Sequence, residues 1–211
     1  MRQVTGKTNP ASAANQVSIQ LALDGHSFSL TRQPAARAMQ ADGAHPEELP
    51  AVLTVEIVTP RTLLVPEALF APAQAACLLA ADGKAPWTGE TTVWSEPADG
   101  VVAVMAVPEE ALAQLSAATC RYTTPLLPLL SPAAPTVQLL PVGPYLYIKC
   151  WHAGLQLAEV VPAPTEADLL YAMERIGQLF PAETCALRIA GPRARALAKL
   201  LKPLYPDTRC E

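Results

Sequence analysis

The residues with the clearest capacity for chemistry lie in a short turn near the start of the chain. Asp24 and Gly25 follow the strand-like run Val17–Leu23, and Ser27 opens a second strand-like run that ends at Arg32. An Asp-Gly pair between two such runs is typical of a β-hairpin turn, which is the interpretation that we favour. The Asp24 carboxylate could also hold a magnesium ion through water, because that ion keeps several waters and needs only one or two carboxylates.

A second pair of reactive residue types occurs later, where Cys150 and His152 stand two residues apart. Residues at this spacing share one face if the strand that holds them continues. A nucleophilic thiol also needs a base that a third group orients, and no such group is apparent near this pair. We therefore do not expect nucleophilic catalysis.

The five cysteines and three histidines do not form a metal-binding pattern. The cysteines are odd in number, far apart in sequence and without a C-x-x-C pair, which favours reduced thiols. The histidines stand alone, whereas a zinc site would place ligands in pairs at short spacing. The residues concerned are Cys77, Cys120, Cys150, Cys185, Cys210, His26, His45 and His152.

Charge is distributed unevenly along the chain. Residues 1–120 hold 6 Lys and Arg against 12 Asp and Glu, whereas residues 121–211 hold 9 against 7. Much of the positive excess surrounds the last helix-like segment, and a solvated helix face explains it well. Nucleic-acid binding is not expected, since it usually shows a stronger basic excess with interleaved aromatic residues. The basic residues are Arg188, Arg193, Arg195, Lys199, Lys202 and Arg209.

Length and composition indicate a globular protein. The 211 residues are 51% hydrophobic and 16% charged, and no apolar run reaches the roughly 18 residues of a membrane span. We therefore expect no membrane insertion. Residues 1–16 lack the apolar core of a signal peptide and are interpreted as a flexible tail on a cytoplasmic protein.

The stretch from Tyr145 to Phe180 has the clearest secondary-structure pattern. Two strands, Tyr145–Cys150 and Leu155–Val161, flank the turn His152-Ala153-Gly154. A capping box, formed by Thr165 and Asp168, then opens a helix that runs to about Phe180. A short strand and a second helix follow it. The buried positions predicted for the two helices are Leu169, Met173, Ile176 and Phe180, and then Leu197, Leu200, Leu201 and Leu204.

The first part of the chain repeats this order of elements without repeating its residues. After the Asp24 hairpin the sequence predicts a loop, a third strand, a helix entered through Pro66, two further strands and a second helix. The predicted ranges are 33–50 for the loop, 51–58 for the strand, 62–81 for the segment entering and forming the helix, 90–96 and 101–107 for the strands, and 109–118 for the last helix. We therefore expect two similar α/β halves, residues 17–130 and 136–211, joined near Ser131–Pro135. We expect Val17–Leu23 and Leu146–Cys150 to be central strands.

Three segments resemble a known bacterial family. The runs SIQLALDGHSF, TLLVPEALF and LYIKCWHAGLQLAEVVPAPTEADLLYAMERIGQLF resemble the family known as domain of unknown function 3822, over about residues 17–205. The chain departs from the family pattern at Glu159 and at Ala172. The resemblance implies a duplicated ribonuclease-H-like core of the kind found in actin, Hsp70 and sugar kinases. It implies no demonstrated activity.

The resemblance also gives the Asp24 turn a second meaning. In actin-like ATPases the turn between the first two strands cradles phosphates with its backbone N–H groups, and acidic residues in the two hairpins hold Mg²⁺. Asp24, Gly25 and Ser27 occupy the first such turn and are the candidate phosphate-binding residues, with ATP and magnesium as the corresponding ligands. The second hairpin, His152-Ala153-Gly154, has no carboxylate. One acid is therefore left of the usual pair.

Two functional classes remain from the sequence. The first is a non-catalytic binding or scaffold protein that keeps an actin-like core and presents a groove or an edge to an unknown protein partner. The second is a nucleotide-binding phosphotransferase or ATPase of the actin and sugar-kinase type, which rests only on fold analogy and on Asp24. We favour the first class, because the second carboxylate and the phosphate-binding glycines are missing.

Overall fold

The computed structural model describes residues 16–22, 27–33, 52–115, 119–127, 129 and 131–211. The strands of this described part are β1 (Gln16–Leu21), β2 (Phe28–Gln33), β3 (Val52–Val58), β4 (Thr62–Pro66), β5 (Glu90–Trp94), β6 (Val101–Pro108), β7 (Thr119–Thr123), β8 (Thr136–Val142), β9 (Tyr145–Trp151), β10 (Leu155–Pro162), β11 (Ala186–Ile189) and β12 (Thr208–Cys210). The α-helices are α1 (Ala75–Ala81), α2 (Glu109–Ala113), α3 (Glu166–Leu179) and α4 (Ala194–Leu201). Helices and strands thus mix along the chain, as an α/β fold requires.

The first sheet, called the N-sheet, has the strand order β2-β1-β3-β7. Strand β1 is antiparallel to β2 and parallel to β3, which is parallel to β7. Val17, Ile19 and Leu21 alternate along β1 and are buried, which fixes the face that meets the core. The prediction of an interior strand at this place is confirmed. The predicted tail and the 33–50 loop lie outside the described residues, except for Gln16 and Gln33, which belong to strands.

A second, inserted sheet separates β3 from β7 along the chain and has the order β4-β6-β5, all antiparallel. The prediction that Thr62 begins a segment leading directly into a helix is wrong. Thr62–Pro66 is a strand, because its β-branched and aliphatic residues pair with the buried strand β6. Two short 3₁₀ turns follow, and the α-helix begins only at Ala75.

The third sheet, called the C-sheet, has the order β10-β9-β8-β11-β12. Strands β8, β9 and β10 form an antiparallel meander, and β11 is parallel to β8 and β12. Strand β9 is interior as predicted, although β8 holds the middle position. The helices α3 and α4 pack on one face of this sheet. The predicted capping box at Thr165 and Asp168 is present and begins α3.

Several element boundaries differ from the predictions. Helix α2 ends at Ala113, and helix α4 ends at Leu201, so Leu204 lies beyond it and is 47% exposed. Strands β7 and β12 were not predicted at all. Among the aromatic side chains, Tyr145 and Trp151 are buried, whereas Trp87, Trp94 and Tyr171 are exposed.

The three sheets meet through side chains. A buried cluster of Val58, Leu126, Tyr145, Tyr147 and Val160 joins the N-sheet side to the C-sheet. The inserted sheet approaches the C-sheet edge to edge, with β4 beside β10.

Lys84, in the segment after α1, reinforces that edge. It bonds Asp82 at 2.8 Å and Glu159 of β10 at 3.0 Å. Burial alone would lower the pKa of Lys84, but the hydrogen bonds to both carboxylates leave that pKa above its usual value.

Candidate functional site

The predicted phosphate turn is only partly described. Asp24 and Gly25 lie outside the described residues, and Ser27 is at their border and exposed. The strands on either side pair antiparallel up to Leu21 and Phe28, and the Ala22 N–H donates to the Ser27 carbonyl at 2.8 Å. The turn therefore leaves the N-sheet at the end of β1.

The sequence predicts His152-Ala153-Gly154 as the counterpart of this turn in the C-sheet, but strand order assigns that place to Gly143-Pro144. Strand β8 opens the C-sheet as β1 opens the N-sheet, and each is followed by an antiparallel neighbour. The turn between β8 and β9 is Gly143-Pro144, whereas His152–Gly154 joins β9 to β10 at the opposite end of β9. The two turns are chemically similar, because residues 142–145 also contain no carboxylate.

The Gly143-Pro144 turn touches the end of β1 directly. Gly143 has a φ of 56° and packs so closely on Gln20 that a Cβ there would lie 2.7 Å from the Gln20 Cδ. The next residue of β9, Tyr145, donates its hydroxyl proton to the Ala22 carbonyl at 3.0 Å. The ends of the two opening strands are thus in contact across the junction of the sheets.

Behind this contact the junction is held by a buried tyrosine. The Thr59 backbone N–H donates to the Tyr147 hydroxyl oxygen at 3.1 Å, which ties the end of β3 to β9. Burial raises the pKa of Tyr147 far above its usual value, so it stays a neutral phenol. Burial also raises the pKa of Glu56 on β3, against the opposing effect of a hydrogen bond with Ser18. The junction is therefore built around a buried, protonated phenol.

A small crevice lies on the helix side of the Gly143 turn. It is lined in part by Gly143, Thr165, Glu166 and Arg193, at the starts of α3 and α4, and holds about 10 Å³. That is about the space one water needs, whereas small-molecule pockets typically measure roughly 300 Å³ or more.

The other residues that the sequence singled out are not brought together. Cys150 is buried in the C-sheet core, and burial raises its pKa to about 12, while His152 follows the strand end and is exposed. Within the described ranges no three His, Cys, Asp or Glu side chains form a group that could hold a metal ion. In the same ranges no helix is long and apolar enough to cross a membrane.

Sequence reasoning missed a larger groove, about 460 Å³ in volume, between the edges of β5 and β7. The sequence signal that could have indicated this groove is Trp94, an aromatic residue near the end of a strand-like run. We call this space the β5–β7 groove; the residues that line it are Phe70, Thr92, Val93, Trp94, Ser95, Glu96, Pro97, Val102, Cys120, Arg121 and Tyr122.

Comparison with solved structures gives the fold. A protein of unknown function with an actin-like ATPase fold, from Bacteroides thetaiotaomicron, superposes with a TM-score of 0.68 at 17% identity, over 99% of this chain and 94% of that one. This chain has an actin-like ATPase fold. The expected fold class is thereby confirmed.

Other comparisons add less. The cytoplasmic domain of EpsL, an inner-membrane component of the type II secretion system of Vibrio cholerae, matches with a TM-score of 0.40 at 13% identity, over 84% of this chain and 82% of that domain. No protein-family model matches the chain, and no curated protein matches it.

Proposed function

We propose that the chain is a non-catalytic binding or scaffold protein that uses an actin-like ATPase fold to present a surface to a protein partner. The observation that carries this proposal is the direct contact between the Gly143-Pro144 turn and the end of β1. In actin-like ATPases the turn between the first two strands cradles phosphates, and acidic residues in the two hairpins hold Mg²⁺. Here Gly143 packs on Gln20, and Tyr145 bonds Ala22.

Three further features support the proposal. The described turn contributes no carboxylate to hold a metal ion, although phosphoryl transfer needs the metal held and the nucleophile oriented. The junction of the sheets is filled by the buried cluster around Tyr145 and Tyr147. The crevice at the turn has room for about one water. Each feature favours a junction that holds the sheets together over one that binds a nucleotide.

The same proposal includes a family and a location. The motifs quoted from the sequence support membership of the bacterial family of domain of unknown function 3822, and the structural neighbour from Bacteroides is also a bacterial protein of unknown function. We place the chain in the cytoplasm, in keeping with reduced thiols such as Cys77 and Cys210.

The test separates nucleotide binding from turnover. Thermal unfolding with ATP and Mg²⁺ should show no shift, whereas a nucleotide at a hundred times its dissociation constant would stabilise the chain by about 2.7 kcal/mol. Phosphate release should not exceed that of a matched Asp24→Ala variant. Stabilisation by ATP together with release that Asp24→Ala abolishes would support the phosphotransferase or ATPase alternative and overturn the scaffold proposal.

A further inference from the structure

The β5–β7 groove is large enough to hold a small molecule. Its volume of about 460 Å³ lies within the roughly 300 to 1,000 Å³ of pockets that bind such ligands. A parallel bridge between Ser95 and Tyr122 already joins the end of β5 to β7. The space beside that bridge therefore suits a compact ligand better than an added strand.

Aromatic and aliphatic side chains form one wall of the groove. Phe70, Trp94 and Val102 contribute apolar surface, and the Phe70 and Trp94 rings lie 5.9 Å apart with their planes inclined by 52°. Trp94 is nevertheless 39% exposed. Tyr122 adds a third ring to the lining. Rings pair favourably with other rings in offset or edge-to-face arrangements, so a planar aromatic body suits this wall.

Three polar residues of the groove are neutral. Burial raises the pKa of Cys120 and that of Tyr122, and their side chains share a hydrogen bond, so both keep their protons at about pH 7. Thr92 also lines the groove, and its Oγ1 is buried without a hydrogen-bond partner within the described ranges. Buried hydroxyls nearly always have a partner, so this atom has the capacity to pair with a ligand. These residues place no charge against an apolar ring.

The outer part of the groove carries one charge of each sign. The Arg121 Nε lies 3.3 Å from a Glu96 carboxylate oxygen, and the two side chains are 61% and 69% exposed. An exposed pair of this kind is weak. A guanidinium has five N–H donors in a planar fork, whereas this pair is made through the Nε. The fork of Arg121 therefore suits a second carboxylate, which can accept two parallel hydrogen bonds.

We propose that the β5–β7 groove binds a small aromatic carboxylate, with its ring against Phe70 and Trp94 and its carboxylate on the Arg121 guanidinium. The ring and the anion are both needed, because the groove offers an apolar wall at one end and a cation with unused donors at the other. This inference goes beyond the proposed function, since it adds a small-molecule site at the inserted sheet.

The experiment uses three probes that share a naphthalene ring and differ in charge: 2-naphthoate, the uncharged 2-naphthamide and the cationic 2-naphthylmethylamine. Their dissociation constants for the full chain are measured by ligand-observed NMR titration. With about 13 non-hydrogen atoms, 2-naphthoate should bind with a dissociation constant of about 1 mM or below. It should bind about fivefold more tightly than the amide, because its carboxylate pairs with Arg121.

Two groove variants and two matched controls locate the site. Trp94→Ala removes part of the aromatic wall and should weaken the binding of 2-naphthoate about tenfold. Arg121→Gln should abolish the preference for 2-naphthoate over 2-naphthamide, and its mostly exposed side chain makes a folding defect unexpected. Tyr171→Ala and Arg175→Gln are the controls, because these residues pair an exposed ring with an exposed guanidinium on α3, 6.0 Å apart. Neither control should change the affinity of any probe.

Each outcome decides the proposal. Tightest binding of 2-naphthoate, with effects confined to the two groove variants, supports it, provided that thermal unfolding shows Trp94→Ala folded. If that variant unfolds, the charge preference of Arg121→Gln decides alone. No binding of 2-naphthoate up to about 10 mM, tighter binding of the amine, or equal losses in the controls would overturn it. None of the probes contains a phosphate, so these results are independent of the ATP test.

Discussion

At the scale of single residues, the most deeply buried ion pair in the described part of the chain is the one between Arg61 and Glu90. The Arg61 Nε donates to Glu90 at 3.0 Å, and the guanidinium lies 3.9 Å from the centre of the Trp87 ring. Glu90 also accepts a hydrogen bond from the Trp87 N–H at 2.8 Å. The two charged side chains are only 8% and 3% exposed. This group fixes the segment before β5 against the turn between β3 and β4.

Removing one member of that pair should be strongly destabilising. In Glu90→Ala the Arg61 charge stays buried without its partner, and we expect a loss of about 3 to 5 kcal/mol in urea unfolding. Glu96→Ala is the matched control, because its ion pair with Arg121 is exposed. That variant should change stability by less than about 1 kcal/mol. Similar losses in the two variants would contradict this view of Arg61.

Buried acids of high pKa predict how stability depends on pH. Burial raises the pKa of Cys150 from its ordinary value of 9.0, and that of Tyr205 from 10.0, to about 12 in each case. The folded chain keeps these protons at a pH where the unfolded chain has lost them. The stabilisation is therefore complete below about pH 9 and is lost as the pH rises toward 12.

We expect the free energy of unfolding to be roughly 2 kcal/mol lower at about pH 10 than at about pH 7.5. Urea unfolding at the two pH values measures the difference, and Cys150→Ala should make it smaller. A free energy of unfolding that is equal or higher at the alkaline pH would show that these groups titrate normally in the folded chain.

At the scale of elements, α3 was the easiest part of the fold to predict. Its start is encoded locally by Thr165 and Asp168, whose side chains and backbone N–H groups bond reciprocally. Its buried face is encoded by the spacing of Leu169, Met173 and Ile176. Both signals are contained within a few turns of sequence, so no knowledge of the rest of the chain is needed.

The burial of one face of α3 can be tested with one pair of variants. Ile176 is 8% exposed and packs in the C-sheet core, so Ile176→Ala should cost about 2 to 5 kcal/mol in chemical unfolding. Leu179 is in the same helix but 71% exposed. Leu179→Ala should therefore change stability by less than about 0.5 kcal/mol. A loss below about 1 kcal/mol for Ile176→Ala would show that this face of α3 is not buried.

Strands that depend on distant partners were the hardest to predict. Thr119–Thr123 has no fully buried residue, and it is a strand because it pairs in parallel with β3. Thr208–Cys210 likewise pairs with β11 at only three positions. The true counterpart of the Asp24 turn was missed for the same reason. Only the strand order of the sheets identifies Gly143-Pro144, and strand order is not written in local sequence.

At the scale of the whole molecule, the Gly143 turn couples the two larger sheets. Gly143→Ala meets a positive φ and displaces the end of the flexible Gln20 side chain, and we expect the backbone strain to dominate a cost of about 1 to 3 kcal/mol. Gly100→Ala is the matched control: Gly100 has a φ of 78°, but a Cβ there would meet no atom within 4 Å. The difference between the two losses in urea unfolding measures what it costs to displace the Gln20 side chain.

A double variant completes this test. Gln20→Ala removes the side chain that a Cβ on Gly143 would strike, so Gly143→Ala should cost less in that background. The remaining loss should approach that of Gly100→Ala. If Gln20→Ala does not reduce the cost of Gly143→Ala, the Gln20 side chain moves aside without cost and the loss is backbone strain alone.

The position of the inserted sheet also sets an order of folding. Strand β7 pairs in parallel with β3, but residues 59–118 lie between them, and the inserted sheet occupies most of that length. Closing so long a loop is entropically unfavourable until the insertion has become compact. We expect the local hairpin of β5 and β6 to form early and the β3–β7 pair to form after it. The edge of the β5–β7 groove that β7 forms would thus be among the last parts of the chain to assemble. Substitutions in β7 should therefore accelerate unfolding more than they slow refolding.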